Sequence, residues 1–98
     1  MTVILHAKVV AKAEHAEAVK KQLLAIKDDA DKKEEGCLVY RVNQVVDDKN
    51  TFILFEEYAN ESAFKHHQAG AAFQKLASNL TEWLAEPLTM TFLQASQL

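Results

Sequence analysis

The sequence predicts an α+β fold of the ferredoxin-like type, with a four-stranded antiparallel sheet, helices on one face and the order β-α-β-β-α-α-β, built by residues 1–98 as one domain. Three observations lead there. Four segments alternate in period two and are rich in β-branched and aromatic side chains. The stretches between them place apolar residues three and four apart, the spacing of a helix that buries one face. Right-handed crossovers join such elements most simply into one antiparallel sheet.

The first strand is Thr2 to Val10, where Val3, Leu5, Ala7 and Val9 alternate with Ile4, His6, Lys8 and Val10. From about Glu14 the period changes, and Val19, Leu23, Ile26 and Ala30 line one face of an amphipathic helix. Gly36 closes this helix, in the place of a left-handed cap. Cys37 to Val45 alternates again, with Leu38, Tyr40 and Val42 on one face and Val39, Arg41 and Asn43 on the other. Asp47-Asp48-Lys49-Asn50 reads as a polar turn, a loop of several residues leading into a β-rich segment, Thr51 to Tyr58, so the two strands make an antiparallel hairpin. On the second of them Phe52, Leu54, Glu56 and Tyr58 share a face that carries one charge among bulky apolar groups. Asn60 is the N-cap of a short helix running to about His67, with Glu61 in its first turn where the helix dipole favours an anion. Gly70 interrupts it. A longer helix follows, with Phe73, Leu76, Ala77, Leu80, Trp83 and Leu84 as its apolar stripe and Pro87 as its stop. Leu88, Met90 and Phe92 alternate with Thr89, Thr91 and Leu93 in the final strand.

Composition narrows the function. Lys and Arg total 11 against 14 Asp and Glu, a net charge of -3 with both signs interspersed, which disfavours nucleic acid as a partner. The dense run from Asp28 to Glu35 mixes both signs and reads as a solvated helix end without a function. Cys37 is the sole cysteine, so no disulfide within the chain and no thiolate metal cluster can form, and a reducing compartment fits. The first ten residues lack a basic leader, and no apolar stretch approaches the roughly 20 residues that cross a bilayer, so a cytoplasmic protein with no membrane partner is expected. Ile53 and Phe55 stand on the face opposite Phe52 and Leu54, and helices cover only one face. A second copy of the chain is the simplest cover for the other, giving a homodimer through the sheet face.

Several motifs together resemble a known family. Glu35-Gly36-Cys37-Leu38-Val39-Tyr40 resembles the signature of the antibiotic biosynthesis monooxygenase (ABM) domain: an acidic residue, Gly, Cys and a Tyr-bearing strand. Phe55-Glu56-Glu57-Tyr58 is similar to that family's aromatic-Glu-x-Trp strand end. Glu61-Ser62-Ala63-Phe64-Lys65-His66-His67 is similar to its following helix, which carries a His at the position of His67, and Phe73-Gln74 to the aromatic-led start of its last helix. The resemblance spans nearly the whole chain in order and spacing. It implies a dimeric α+β barrel and a small-molecule activity, in a family that includes quinol and anthrone monooxygenases, haem-degrading enzymes and isomerases. Three positions depart from the pattern. Ala11-Lys12 stand where many members have Pro-Gly, Tyr58 replaces the usual Trp, and Ala72 stands where a second His is often found, which disfavours haem ligation there.

The resemblance implies quinol-monooxygenase-like chemistry, in which a small aromatic, quinol- or anthrone-like substrate is oxidised by O2 with no cofactor. A deprotonated electron-rich phenol can itself donate an electron to O2, so the protein has only to take a proton, stabilise the anion and hold the ring in a dry, aromatic-lined pocket. His67 is the candidate base or anion-stabilising donor, because an imidazole titrates near neutral pH. Glu56 is the second candidate catalytic residue; it either orients His67 or makes a structural hydrogen bond, and burial raises its pKa unless a cation or donor pairs with it. Tyr58, Phe64, His6, Tyr40 and Trp83 are the candidate substrate-binding residues. Phe64 precedes His67 by one turn on the same helix face, His6 is a polar group among apolar strand neighbours, and Tyr40 and Trp83 equally fit a core with a polar tip. His15 and His66 read as surface residues, and His66-His67 is no metal pair because helix neighbours point in different directions, so no metal is expected. Cys37 reads as structural. Two alternatives stay open: an isomerase or lyase of small oxygenated metabolites that uses His67 or Cys37 without O2, and a non-catalytic dimeric ligand-binding module, which the loss at Ala72 motivates.

Overall fold

The computed structural model describes residues 2–96. The four alternating segments are strands: β1 (Val3–Val10), β2 (Cys37–Val45), β3 (Asp48–Tyr58) and β4 (Thr89–Leu93), paired antiparallel in the order β2-β3-β1-β4. α1 (Ala16–Lys33) connects β1 to β2, and α2 (Glu61–Ala69), α3 (Ala71–Ala77) and α4 (Leu80–Trp83) connect β3 to β4. This is the ferredoxin-like α+β plait that the periodicities predict.

Register decides what each face holds. On the inner face one cross-strand row reads Phe92, Leu5, Glu56, Tyr40 and the next Met90, Ala7, Leu54, Val42, while Tyr58 pairs with both Val3 and Cys37. The helices pack here. Leu5, Val9, Val19, Leu23, Phe52 and Tyr58 are each at most 1 % exposed, and burying a side chain of this size contributes roughly 1.5–3 kcal/mol. The outer face carries Leu93, Ile4, Glu57 and Val39 in one row and Thr91, His6, Phe55 and Arg41 in the next.

α1 buries Val19, Leu23, Ile26 and Ala30 as its spacing requires, and Gln22 beside them. The buried Gln22 amide donates to the Ala72 carbonyl at 2.7 Å and ties α1 to α3. On the solvent side Lys27–Asp31, Lys32–Asp28 and Lys33–Asp29 are ion pairs at helical spacing, worth a few tenths of a kcal/mol each.

Five local expectations are corrected. The hairpin turn consists of Val46 and Asp47, because Asp48 already belongs to β3, where its carboxylate accepts from the Asn50 amide and the Thr51 hydroxyl at 3.1 and 2.6 Å. A register shift between Cys37 and Val39 takes Leu38 off the face of Tyr40 and leaves it 53 % exposed. The last helix is two: the Ser78 hydroxyl and the Asn79 amide both donate to the Lys75 carbonyl, a local competition that ends α3. α4 stops at Trp83, well before Pro87, and the extended Leu84 bridges to Ala11. Gly36 is no left-handed cap, since no described glycine has a positive φ. Among the described residues no helix is long and apolar enough to cross a membrane.

Candidate active site

Three pieces of chain meet over one end of the inner face: the turn after α1, the paired ends of β2 and β3, and α2. The Glu34 carbonyl accepts from the Cys37 amide at 3.1 Å, closing a tight turn, and the Gly36 carbonyl accepts from the Ala59 amide at 2.8 Å, so the turn is stitched to the end of β3. α2 starts just beyond, capped by the Asn60 side chain, which accepts from the Ala63 amide at 2.8 Å as the sequence predicts. Gly36 is needed for close approach. A Cβ at that position would overlap the Ala63 Cβ, which has no side-chain freedom to move aside. One helical turn beyond Ala63, on the same face, comes His67.

His67 is 3 % exposed, and its Nδ1 lies 2.8 Å from Oε1 of Glu34, whose side chain is 12 % exposed. Aromatic rings enclose the imidazole. Tyr40, Tyr58 and Phe73 have ring centroids 5.3, 5.2 and 5.7 Å from it. Phe64 continues the wall at 5.2 Å from Tyr58, and Phe92 of β4 meets Phe64 edge-on at 5.8 Å. Phe92 is 59 % exposed, so this chain of rings runs from solvent to the buried histidine.

The second carboxylate is Glu56, 5 % exposed, whose Oε1 accepts from the Tyr58 hydroxyl at 2.6 Å. Burial raises the Glu56 carboxyl above its ordinary range, opposed by the Tyr58 hydrogen bond and the nearby His67 charge, with Glu34 adding to the rise. Burial likewise holds the Tyr58 and Tyr40 hydroxyls far from ionisation, and the Glu56 charge adds to both. Tyr58 is therefore a hydrogen-bond donor at any physiological pH. The Cys37 thiol, half-buried between the carboxylates, is pushed up to about 11 by burial and then by Glu34 and Glu56, which suits a neutral structural thiol and not a thiolate nucleophile.

The family profile described as "Antibiotic biosynthesis monooxygenase" matches residues 2–79. The chain belongs to the antibiotic biosynthesis monooxygenase family. It is 33 % identical over 64 residues, 65 % of this chain and 67 % of the other, to the Bacillus subtilis (strain 168) protein named "Putative monooxygenase YcnE". Among solved structures it is similar to PA3566 from Pseudomonas aeruginosa, at 25 % identity and a TM-score of 0.88 over 98 % of this chain and 95 % of that one. Rv0793 from Mycobacterium tuberculosis shares the fold at 21 % identity and a TM-score of 0.88, covering 100 % of this chain and 98 % of its own. The family and the relative's name together support a monooxygenase.

Within this ABM chain the structure brings together His67, Glu56, Tyr58, Phe64 and Tyr40. His6 stands apart, on the outer face between Phe55 and Thr91. Trp83 is also remote: its carbonyl accepts from the Lys12 amide, beyond the far end of β1, an eight-residue strand spanning roughly 26 Å. That end holds a cavity of ≈ 570 Å³ lined by Leu80, Thr81, Leu84, Ala85, Glu86, Pro87 and Leu88, and a second, of ≈ 360 Å³, lies by Thr2, Ile4 and Leu93. Neither touches His67. Glu56 bonds Tyr58, whereas His67 takes its carboxylate from Glu34, a residue the sequence reading places in a solvated helix end. The signal for it is periodicity: the buried stripe Val19, Leu23, Ile26, Ala30 continues by four to Glu34. Phe73 and Gln22 fall in phase with apolar stripes in the same way. Among the described residues no group of three or more His, Cys, Asp or Glu stands as a metal site.

Proposed function

We propose that this protein is a cofactor-independent monooxygenase that oxidises a small aromatic substrate of the quinol or anthrone type with O2, and that His67 takes the proton that starts the reaction. The observation that carries the reading is one buried imidazole, held by a carboxylate and ringed by Tyr40, Tyr58 and Phe73, with Phe64 continuing the wall behind Tyr58. A flat electron-rich ring suits these walls, and a water-poor chamber strengthens each electrostatic contact inside it. Removal of a phenolic proton by His67 gives an anion that passes an electron to O2. The two radicals combine at a ring carbon as a hydroperoxide, and loss of water leaves a carbonyl, so one oxygen atom enters the ring and the other departs in water. For a naphthohydroquinone the product is a hydroxynaphthoquinone, and the four electrons lost by the ring are those gained by O2. Tyr58, whose one hydroxyl hydrogen is given to Glu56, contributes its ring to the wall beside His67. His67 is buried and Phe92 is exposed, so the side that ends in Phe92 is where a ring would enter.

A second copy of the chain on the outer face completes this reading, since Ile4, Ile53, Phe55, Val39 and Leu93 lie there. The mechanism assigns the cysteine no part, in keeping with its raised thiol pKa.

The test is oxygen consumption by chelator-treated protein with freshly reduced naphthohydroquinone, corrected for autoxidation. Uptake above the blank is expected, falling by on the order of 100-fold or more in His67→Ala. Uptake equal to the blank across hydroquinones and anthrones overturns the reading, and turnover that persists without O2 transfers it to an isomerase.

A further inference from the structure

We propose that Glu34 is the positioning residue of this site: it holds the proton of His67 on Nδ1 and leaves Nε2 as the imidazole's proton acceptor. This deepens the reading of His67 as the base and rests on it. Three observations lead to Glu34. Its Oε1 lies 2.8 Å from Nδ1, a direct charge-assisted hydrogen bond. A carboxylate accepts and cannot donate, so the nitrogen that faces it carries the hydrogen and the other nitrogen carries the lone pair.

The other acid in the cluster does not compete for that place. Glu56 is engaged by the Tyr58 hydroxyl at 2.6 Å. The aromatic rings that meet the imidazole are those of Tyr40, Tyr58 and Phe73, none of which presents an anion. Glu34 is also held in place from its backbone. Its carbonyl accepts from the Cys37 amide, in the turn whose Gly36 lets Ala63, and with it α2, approach closely. The turn thus sets the distance between the carboxylate and the imidazole, and the two ends of the bond are located by one contact.

The experiment is a long-range proton–nitrogen correlation spectrum of protein labelled with 15N-histidine, the His67 signals being assigned by their loss in His67→Gln. In the wild type near neutral pH, Nδ1 is expected to be the protonated nitrogen and Nε2 the bare one. In Glu34→Ala, shown to be folded by its thermal melt, most molecules are expected to move the proton to Nε2. Glu34→Asp, one methylene shorter, should restore part of the wild-type pattern. A wild-type spectrum with the hydrogen on Nε2 overturns the proposal without any variant, and so does a tautomer that Glu34→Ala leaves unchanged. None of these outcomes needs turnover, so failure of the oxygenase reading is seen separately in the oxygen-uptake assay. If that assay succeeds, Glu34→Ala should lower kcat by on the order of 100-fold with KM nearly unchanged. Loss in KM alone would assign Glu34 to substrate binding instead and overturn its positioning role.

Discussion

Phe52 and Phe55 stand three residues apart on β3 and meet different surroundings. Phe52 faces the helices at 1 % exposure, in a core with Leu5, Val9 and Leu23, while Phe55 sits on the outer face between His6 and Arg41. The inner face also carries Glu56 and lies beneath His67 of α2; the outer face mixes Ile4, Ile53 and Val39 with Lys8, Arg41 and Glu57. The difference teaches that alternation alone does not make a face a core. What separates the two is the presence of helices that exclude water from one of them, and with it the cost of leaving a polar group without a partner.

The largest expected effect breaks this comparison directly. Phe52→Ala should lower the stability of the chain by about 3–5 kcal/mol at any protein concentration, because it opens a cavity in a closed core. Phe55→Glu should leave the stability of an isolated chain within about 1 kcal/mol. If a second copy covers the outer face, the same change shifts the protein to the smaller species in sedimentation experiments and makes its melting independent of concentration. Urea titrations of both variants at two protein concentrations check this. Equal losses for the two substitutions would show that the outer face is as closed as the inner one within one chain.

A smaller effect tests how the site is assembled on the inner face. Gly36→Ala puts a methyl group into the Ala63 Cβ and should cost about 1–3 kcal/mol, the range for overpacking a tight contact. Ala63→Gly in the same chain should recover part of the loss, since it removes the colliding atom. A double-mutant cycle by urea denaturation measures the coupling. Strictly additive losses would mean that Gly36 matters for some reason other than its approach to α2.

Most of the fold is legible in the sequence because it depends on periodicity. The four strands, the α1 stripe and the Asn60 cap lie where spacing and side-chain chemistry put them. What escapes is decided between elements. No local pattern reveals that Ser78 and Asn79 take the Lys75 carbonyl and split a helix, or that Gly36 serves a neighbour and not its own φ. The site divides in the same way. His67, Glu56, Tyr58, Phe64 and Tyr40 were reachable from strand faces, helix phase and the resemblance to a family. Glu34 was hidden inside a charge run whose other members are solvated, and only its phase with Val19, Leu23, Ile26 and Ala30 sets it apart. His6 and Trp83 went to the wrong places for the converse reason: a polar or aromatic side chain among apolar neighbours says that a face exists, and leaves open which face or which end it is.

The smallest effect concerns the charge buried on the inner face. Burial raises the Glu56 carboxyl above its ordinary 4.5, against the attraction of His67 and the Tyr58 hydrogen bond. The folded protein therefore keeps this proton over a range of pH in which the unfolded chain has already released it. The stabilisation that results is fully present below 4.5 and is lost as pH rises through the raised folded value. Glu56→Gln keeps an acceptor oxygen for the Tyr58 hydroxyl and removes the titration. As pH climbs from 4.5 through neutrality, the Tm of the variant should gain on that of the wild type by a few degrees at most. Phe55→Glu, with its carboxylate on the open face, should show no comparable trend. Melts across this range that run parallel for Glu56→Gln and wild type would mean that the Tyr58 and His67 attractions cancel the burial, and that the inner face accommodates an ionised carboxylate as readily as the outer one does.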